Sequence, residues 1–192
     1  MSPIFLLLVG PSGVGKSTIL AEIRKGVPGI RQLPTETTRP RRPEETEGVE
    51  HFFLSEDEFN EVLASGDFIE WQVIHGYRYG TRRSAIQALA KNGCDYVLDM
   101  DSHGALALKA ALPDQVVTVL IEPPSIENLR TRLTRRGGIS EEVAQARLST
   151  ALAELAFSES ADYIVVNDDL SAAIGRVASI IEDERRRHRT NR

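Results

Sequence analysis

The chain has 192 residues, of which 41% are hydrophobic and 27% are charged, and its formal net charge is −5. This length is enough for one domain with a proper core, and the negative charge argues against a general nucleic-acid binder. The single cysteine, Cys94, excludes a disulfide within the chain and suits a reducing compartment. The apolar run near the N-terminus is too short for a membrane span and has no basic flank before it, so we expect a cytoplasmic protein.

Strand and helix patterns alternate along most of the chain. Apolar runs predict buried parallel strands at Ile4–Val9, Tyr96–Leu98, Val116–Ile121 and Tyr163–Val166. Helical periodicity predicts helices at Lys16–Lys25, Arg82–Lys91, Gly104–Ala111, Ile126–Arg135, Glu141–Phe157 and Ser171–Arg187. The alternation predicts an α/β fold whose parallel sheet binds ligands at the carboxyl ends of its strands.

A glycine-rich motif directly follows the first predicted strand: residues 10–17 read GPSGVGKS, which is G-x-x-x-x-G-K-[ST]. Its glycines permit backbone conformations that turn successive N–H groups onto a phosphate. Lys16 supplies a cation for the β- and γ-phosphates, Ser17 offers a hydroxyl to Mg²⁺, and the helix that begins here adds its positive N-terminal end. The motif predicts binding of a nucleoside triphosphate by Gly10, Pro11, Ser12, Gly13, Val14, Gly15, Lys16, Ser17 and Thr18.

Residues 32–81 interrupt the strand–helix alternation. They are rich in Thr, Arg, Pro and Glu and predict a small inserted α+β lobe with one helix, Glu56–Ala64. The polar segment 130–147 contains five arginines and predicts a helical hairpin that closes over the triphosphate as a lid. We therefore expect a single domain with a core at about 1–31, 82–129 and 148–192. The basic tail from Glu184 onward is interpreted as a frayed, solvated helix end.

Two arginine clusters suggest phosphoryl transfer, which needs positioning and positive charge more than a covalent nucleophile. One cluster is Arg39-Pro40-Arg41-Arg42, directly after Thr37-Thr38, and the other is Arg132, Arg136 and Arg147. Arg132 and Arg136 are four residues apart and share a helix face. Guanidinium groups grip phosphate oxygens through two hydrogen bonds. Two clusters in a chain with a phosphate loop favour phosphate binding over ordinary surface charge.

Further motifs occur in a characteristic order and spacing. In the predicted lobe they are Thr37-Thr38-Arg39-Pro40-Arg41-Arg42-Pro43-Glu44-Glu45, Gly48-Val49-Glu50-His51-Phe52-Phe53, and Phe68-Ile69-Glu70-Trp71 with Tyr79-Gly80-Thr81. Later in the chain they are Leu98-Asp99-Met100-Asp101 with Gly104, Pro123-Pro124-Ser125, the dipeptides Arg132-Leu133, Arg136-Gly137 and Arg147-Leu148, and Val166-Asn167-Asp168-Asp169-Leu170. With these motifs the chain resembles, over nearly its whole length, the guanylate kinases, which move the γ-phosphoryl group of ATP onto GMP. The resemblance implies a P-loop NTPase-type parallel sheet core, an inserted small α+β nucleotide-monophosphate-binding lobe and a helical lid.

The resemblance also implies a role for each matching residue. The implied GMP-binding residues are Thr35, Arg39, Arg42, His51, Glu70, Tyr79, Thr81 and Asp101; the implied additional ATP-binding residues are Arg132, Arg136 and Asn167; and the implied catalytic residues are Lys16, Arg42, Arg136 and Arg147. Ser17 is implied to bind Mg²⁺ directly and Asp99 to act on it through water. Glu70 is implied to recognise guanine, because a carboxylate accepts from both the ring N1–H and the exocyclic amine, a donor pair that adenine lacks.

The acceptor side departs from the family pattern at several positions. His51 replaces a tyrosine, Arg41 and Glu44 replace a proline and a glycine, and Arg78 precedes Tyr79. These changes leave open an alternative kinase that acts on a modified guanine nucleotide or another phosphorylated nucleoside. A catalytically silent interaction module is a further alternative, although such modules typically lack the phosphate loop or the lid arginines. The expected partners are ATP and GMP, with dGMP as a further expected acceptor and with no nucleic acid or membrane. The chain is expected to be a monomer or a homodimer.

Overall fold

A five-stranded parallel sheet forms the core of the protein, whose computed structural model describes residues 3–74, 76–135 and 149–190. In spatial order its strands are β2 (Ile30–Gln32), β7 (Asp95–Asp99), β1 (Phe5–Val9), β8 (Val116–Glu122) and β9 (Tyr163–Val166). All five residues of β1 are buried, as expected for a central parallel strand covered on both faces. Leu8 is in register with Asp99, the last residue of β7, so the carboxyl ends of β1 and β7 lie side by side at one edge of the sheet.

Helices cover both faces of this sheet. They are α1 (Lys16–Gly26), α3 (Arg83–Leu89), α4 (Ser102–Ala111), α5 (Ile126–Arg135), α6 (described over 149–155) and α7 (Leu170–Thr190), with a 3₁₀ turn at Ala156–Glu159. Alternate residues of β1 point to opposite faces: Leu6 packs with α1 and α7, whereas Leu7 packs with α3 and α4. The described helices include none that is long and apolar enough to cross a membrane.

A second, mixed sheet lies within the region predicted as an inserted lobe. Its order is β4 (His51–Phe53), β3 (Thr35–Thr37), β6 (Tyr77–Arg82) and β5 (Phe68–Ile74), and the helix α2 (Glu56–Ala64) accompanies it. Ser55 and Glu58 form a capping box that starts α2. The buried Phe59 stacks on Phe68 at 4.5 Å between ring centroids, which fixes α2 against β5. The predicted α2 bounds agree with those observed.

The predicted α/β class and parallel core are confirmed, with two local corrections. The first correction is β2, a three-residue strand at the sheet edge that was not predicted. The tail is not frayed from Glu184 onward, because α7 continues to Thr190 and Glu184 is buried. Arg185 anchors this end of α7, its Nε donating to Asp95 Oδ2 at 2.7 Å. Residues 141–148 of the predicted helix Glu141–Phe157 and residues 136–147 of the predicted lid lie outside the described residues.

Candidate functional site

The loop between β1 and α1 has the backbone geometry of a phosphate cradle. Gly10, Gly13 and Gly15 have φ angles of 134°, 84° and 107°, which disfavour any residue with a side chain. A Cβ at Gly10 would lie 2.3 Å from the carbonyl oxygen of Ile121, so β8 leaves no room for one. Helix α1 begins at Lys16 with no acidic residue in its first turn, and its N-terminal N–H groups and positive dipole end therefore face the loop.

Lys16, Ser17 and Asp99 meet at the mouth of this loop. The Lys16 Nζ donates to the Gly10 carbonyl and lies 3.6 Å from Asp99 Oδ1. The Ser17 hydroxyl donates to Asp99 Oδ2 at 3.1 Å. Burial raises the pKa of Asp99, while Lys16 and Ser17 act in the opposite direction. The strand register explains the meeting, because β7 ends beside β1 and delivers Asp99 to the loop that follows β1.

This donor set fits a magnesium ion that arrives with a nucleotide. Magnesium is commonly held by one or two protein oxygens together with phosphate oxygens, and Ser17 and Asp99 supply oxygens of that kind. Within residues 3–74, 76–135 and 149–190, no group of three or more His, Cys, Asp or Glu side chains could hold a metal by itself. The oxygens of Ser17 and Asp99 fit a cation that also binds nucleotide phosphates.

Arg132 and Asn167 hold the outer part of the phosphate loop. Asn167 is buried, and its Nδ2 donates to the Val14 carbonyl at 2.7 Å. Arg132 contacts the same carbonyl at 3.5 Å and donates to the Asn167 carbonyl at 3.1 Å. A Cβ at Gly15 would lie 2.4 Å from Asn167 Nδ2, so the glycine is needed for this approach. Both residues lie at the predicted ATP site, and the structure adds a loop-bracing contact that the sequence did not indicate.

Glu70 and Thr81 form a polar pair on neighbouring strands of the second sheet. The two residues are in register between β5 and β6, both are buried, and the Thr81 hydroxyl donates to Glu70 Oε1. Burial raises the pKa of Glu70, with the Asp101 charge adding to the shift and Thr81 opposing it. A Cβ at Gly104 would lie 3.3 Å from Glu70 Oε2, so the start of α4 approaches this carboxylate closely.

Asp101 connects the two halves of the site. Its Oδ1 accepts from the Gly104 N–H at 2.9 Å and thereby caps α4, while its Oδ2 is buried and has no hydrogen-bond partner among the described residues. Two residues earlier, Asp99 contacts the phosphate loop. The end of β7 therefore presents one carboxylate to the phosphate loop, and the residue two positions later presents another near Glu70.

Thr35 and His51 form another polar pair of the second sheet. Thr35 Oγ1 lies 2.8 Å from His51 Nδ1, across the parallel pairing of β3 and β4. The His51 ring also makes an edge contact with Tyr79, with centroids 5.7 Å apart. Burial lowers the pKa of His51, and the nearby Arg39 charge lowers it further. Both effects favour the neutral form of the His51 ring.

Arg39 and Tyr79 lie together at the open end of this sheet. The Arg39 Nε donates to the Tyr79 hydroxyl at 3.0 Å, and the Arg39 Nη2 donates to Glu45 at 2.6 Å. Arg42 is exposed, three residues along the same loop, and its backbone N–H donates to Glu45 at 2.8 Å. The predicted catalytic residues Arg136 and Arg147 lie outside the described residues.

Glu154 is a residue of the site that sequence reasoning missed. Burial raises its pKa; the Lys16 charge opposes the shift, and Asp101 and Asp99 reinforce it, so these charged groups share one region. Its Oε2 is buried and has no hydrogen-bond partner within the described part of the chain. A signal was available, because Glu154 follows the buried Ala151 by three residues and so lies on the apolar side of its helix.

A glycine-rich phosphate loop at the carboxyl edge of a parallel sheet, with Asp99 beside it and the buried Glu70–Thr81 pair under the influence of Asp101, defines a P-loop nucleotide-binding protein of the small-molecule kinase type. The family model described as guanylate kinase matches residues 3–184. The guanylate kinase of Symbiobacterium thermophilum is 40% identical over 184 residues, covering 96% of this chain and 87% of its own. That of Thermotoga maritima is 40% identical over 179 residues, covering 93% and 86%.

A solved structure gives the same result. The crystal structure of guanylate kinase from Anaplasma phagocytophilum matches with a TM-score of 0.72 and 30% identity, covering 95% of this chain and 86% of that one. The chain belongs to the guanylate kinase family.

Proposed function

We propose that the protein transfers the γ-phosphoryl group of ATP to GMP, giving ADP and GDP. The observation that carries this proposal is the placement of Asp99 and Asp101 at the end of β7. Asp99 contacts the phosphate-loop residues Lys16 and Ser17, whereas the charge of Asp101 acts on Glu70 of the second sheet. A donor nucleotide in the loop and an acceptor at Glu70 would therefore meet at one strand end. Membership of the guanylate kinase family supports the same pair of substrates.

Glu70 would select guanine. The Thr81 hydroxyl occupies only part of the acceptor capacity of this carboxylate, which has about four lone-pair sites. Guanine offers an N1–H and an exocyclic amine to the remaining sites. Because the carboxylate is buried, a base without these donors would leave it unpaired, at a cost of about 1–3 kcal/mol or more. Thr35 lies on β3 of the same sheet and would contribute its hydroxyl to guanine binding, and His51 would orient that hydroxyl.

Charge on the phosphates would be balanced by the cations around the loop and the second sheet. Arg39, Arg42 and Tyr79 would bind the acceptor phosphate, and Lys16 would stabilise the group in transfer. The lid arginines Arg136 and Arg147 belong to the same proposal through their motif. Magnesium, when bound with ATP through Ser17 and through water on Asp99, would neutralise charge on the β- and γ-phosphates. Asn167 and Arg132 would keep the loop in its binding shape.

The domain division predicted from the sequence is part of this proposal. We infer that a lobe at about 32–81 carries the acceptor and that a lid at about 130–147 covers the donor. Closure of both over the substrates would exclude water, so that ATP is not simply hydrolysed. A simple ATPase would have no use for the buried Glu70 pocket.

The test is nucleoside diphosphate formation from ATP and Mg²⁺ with GMP, dGMP, IMP, AMP, CMP and UMP as acceptors. Fast turnover of GMP, weaker turnover of IMP, which lacks the exocyclic amine, and turnover of AMP lower by about 10⁴-fold are expected. Turnover of none of them, with ATP still bound, would refute the proposal and favour a modified acceptor or an interaction module.

A further inference from the structure

Glu45 is buried in a loop where its neighbour Glu44 is exposed. Its exposed fraction is 9%, although the loop between β3 and β4 otherwise points to solvent around it. One carboxylate oxygen accepts from Arg39 Nη2 at 2.6 Å and the other accepts from the backbone N–H of Arg42 at 2.8 Å. Its backbone carbonyl accepts from Arg41 Nη1 at 2.6 Å. A single acidic residue therefore contacts all three arginines of this loop.

These contacts fix the plane of the Arg39 guanidinium. The group has five N–H donors in a rigid fork. Its Nε donates to the Tyr79 hydroxyl at 3.0 Å, its Nη1 to the Pro40 carbonyl at 2.9 Å and its Nη2 to Glu45. Among the described contacts this leaves two terminal N–H donors, enough for a phosphate that accepts two parallel hydrogen bonds. The Arg39 and Glu45 side chains are each only 10% exposed, so the pair is shielded from solvent.

We propose that Glu45 is a positioning residue for the acceptor phosphate, holding Arg39 in its binding orientation and fixing the loop at Arg42. The inference rests on the proposed function. Burial disfavours the Glu45 charge, but the hydrogen bonds from Arg39 and from the Arg42 N–H hold its pKa below the ordinary value. A carboxylate that is always charged keeps the arginine ordered before the substrate arrives, so binding does not have to immobilise it. Both oxygens already accept from protein donors, which limits their repulsion of the incoming phosphate.

The test compares Glu45→Gln with the matched control Glu44→Gln, one residue away. Two constants are measured: the affinity for GMP and the inhibition constant of guanosine, which has the same base and sugar without the phosphate. Glu45→Gln is expected to weaken GMP about tenfold and to leave guanosine and ATP within about twofold, because only the phosphate contact depends on Arg39. Glu44→Gln is expected to change neither constant.

Three results would overturn the inference. GMP affinity that does not change would show that Arg39 needs no fixing, and tighter GMP binding would show that the carboxylate competes with the phosphate. An equal loss for GMP and guanosine would show a general structural role. If Glu45→Gln does not fold, Glu45→Asp, which keeps the charge but retracts it from Arg39, is expected to weaken GMP and spare guanosine.

A second measurement tests whether the effect passes through Arg39. In an Arg39→Ala background, Glu45→Gln is expected to weaken GMP by less than about threefold, because most of its effect is already lost. A full tenfold loss there would contradict the positioning role. Failure of the wild-type protein to bind GMP would overturn the proposed function together with this inference, whereas normal wild-type binding with an unaffected Glu45→Gln variant would overturn this inference alone.

Discussion

A buried carboxylate in the second sheet should make the stability of the protein depend on pH. Glu36 lies on β3 between two threonines and is 2% exposed. Arg82 Nε lies 3.1 Å from its Oε1, while its Oε2 has no hydrogen-bond partner among the described residues. Burial raises the pKa of Glu36 from 4.5 to about 7; Arg82 and backbone hydrogen bonds oppose the shift, and Asp67 adds to it. The Arg82 charge therefore compensates the loss of hydration only in part.

The sign of the effect follows from proton binding. Between the unfolded pKa of 4.5 and the folded pKa of about 7, the folded state binds more protons than the unfolded state. The free energy of unfolding therefore falls as pH rises through this window, by at most about 1.4 kcal/mol per pH unit. Across the whole shift the loss is about 3 kcal/mol, a large fraction of a typical domain stability of about 5–15 kcal/mol.

The variant Glu36→Gln removes the titration and keeps the shape of the side chain. Urea unfolding of the variant and the wild type at several pH values between about 4.5 and 8 measures the free energy of unfolding of each. From the lowest to the highest pH, the free energy of unfolding of the variant is expected to rise by about 3 kcal/mol relative to that of the wild type. Glu44→Gln, at an exposed position, serves as the control, and its free energy of unfolding should change with pH as that of the wild type does. Parallel profiles for Glu36→Gln and the wild type would refute the reasoning, because they would mean that Glu36 binds protons equally in both states.

Other substitutions test the site directly. Glu70→Gln replaces one acceptor by a donor and is expected to lower kcat/KM for GMP by about 10–100-fold while reducing the preference for GMP over IMP; an unchanged preference would exclude Glu70 as the base reader. His51→Tyr is expected to flatten the pH dependence of GMP affinity, and because the pKa of His51 is lowered, the difference from the wild type should appear mainly below about pH 6.5; superimposable profiles would contradict this. Gly10→Ala is expected to weaken ATP binding at least about tenfold and to lower the melting temperature, because its Cβ would lie 2.3 Å from the Ile121 carbonyl oxygen, whereas Gly26→Ala, with nothing within 4 Å, should leave both unchanged.

Much of the fold could be predicted because its signals are local. The buried run at Phe5–Val9, the glycine loop and the periodicity of α1 each lie within one short segment. The strand β2 could not be predicted in the same way, because three residues carry no periodicity. Its pairing with β7 joins residues 65 positions apart in the sequence, such as Ile30 and Asp95. The interpretation of the tail from Glu184 onward as a frayed helix end was wrong for a related reason. Its charged residues look solvated in sequence, but Arg185 pairs with Asp95, and Glu184 accepts from the Tyr163 hydroxyl.

The residue types of the site could be predicted, but their partners could not. A motif shows that an asparagine occurs at position 167, but only the fold shows that its amide donates to the Val14 carbonyl, 153 residues earlier. Glu154 gave a weak signal as a charged residue that follows a buried alanine by three positions, which does not indicate that the Lys16 charge acts on it. Neither interaction follows from spacing, because each depends on how separate strands and helices pack.

The motifs that we propose bind GMP contain more residues than would touch the nucleotide. The side-chain pairs in the structure explain why. Arg39 needs Glu45 and Tyr79 to fix its plane, and Glu70 needs Thr81 to satisfy one oxygen. A buried polar side chain that is half satisfied costs stability when no ligand is bound, so a ligand-facing group in a dry pocket requires a protein partner as well. Two of the departures from the family pattern also have protein partners, since His51 pairs with Thr35 and Arg41 with the Glu45 carbonyl. Substitutions in the supporting residues should therefore shift substrate affinity without removing a substrate contact, and for the residues that support Arg39 the ratio of GMP to guanosine affinity measures that shift.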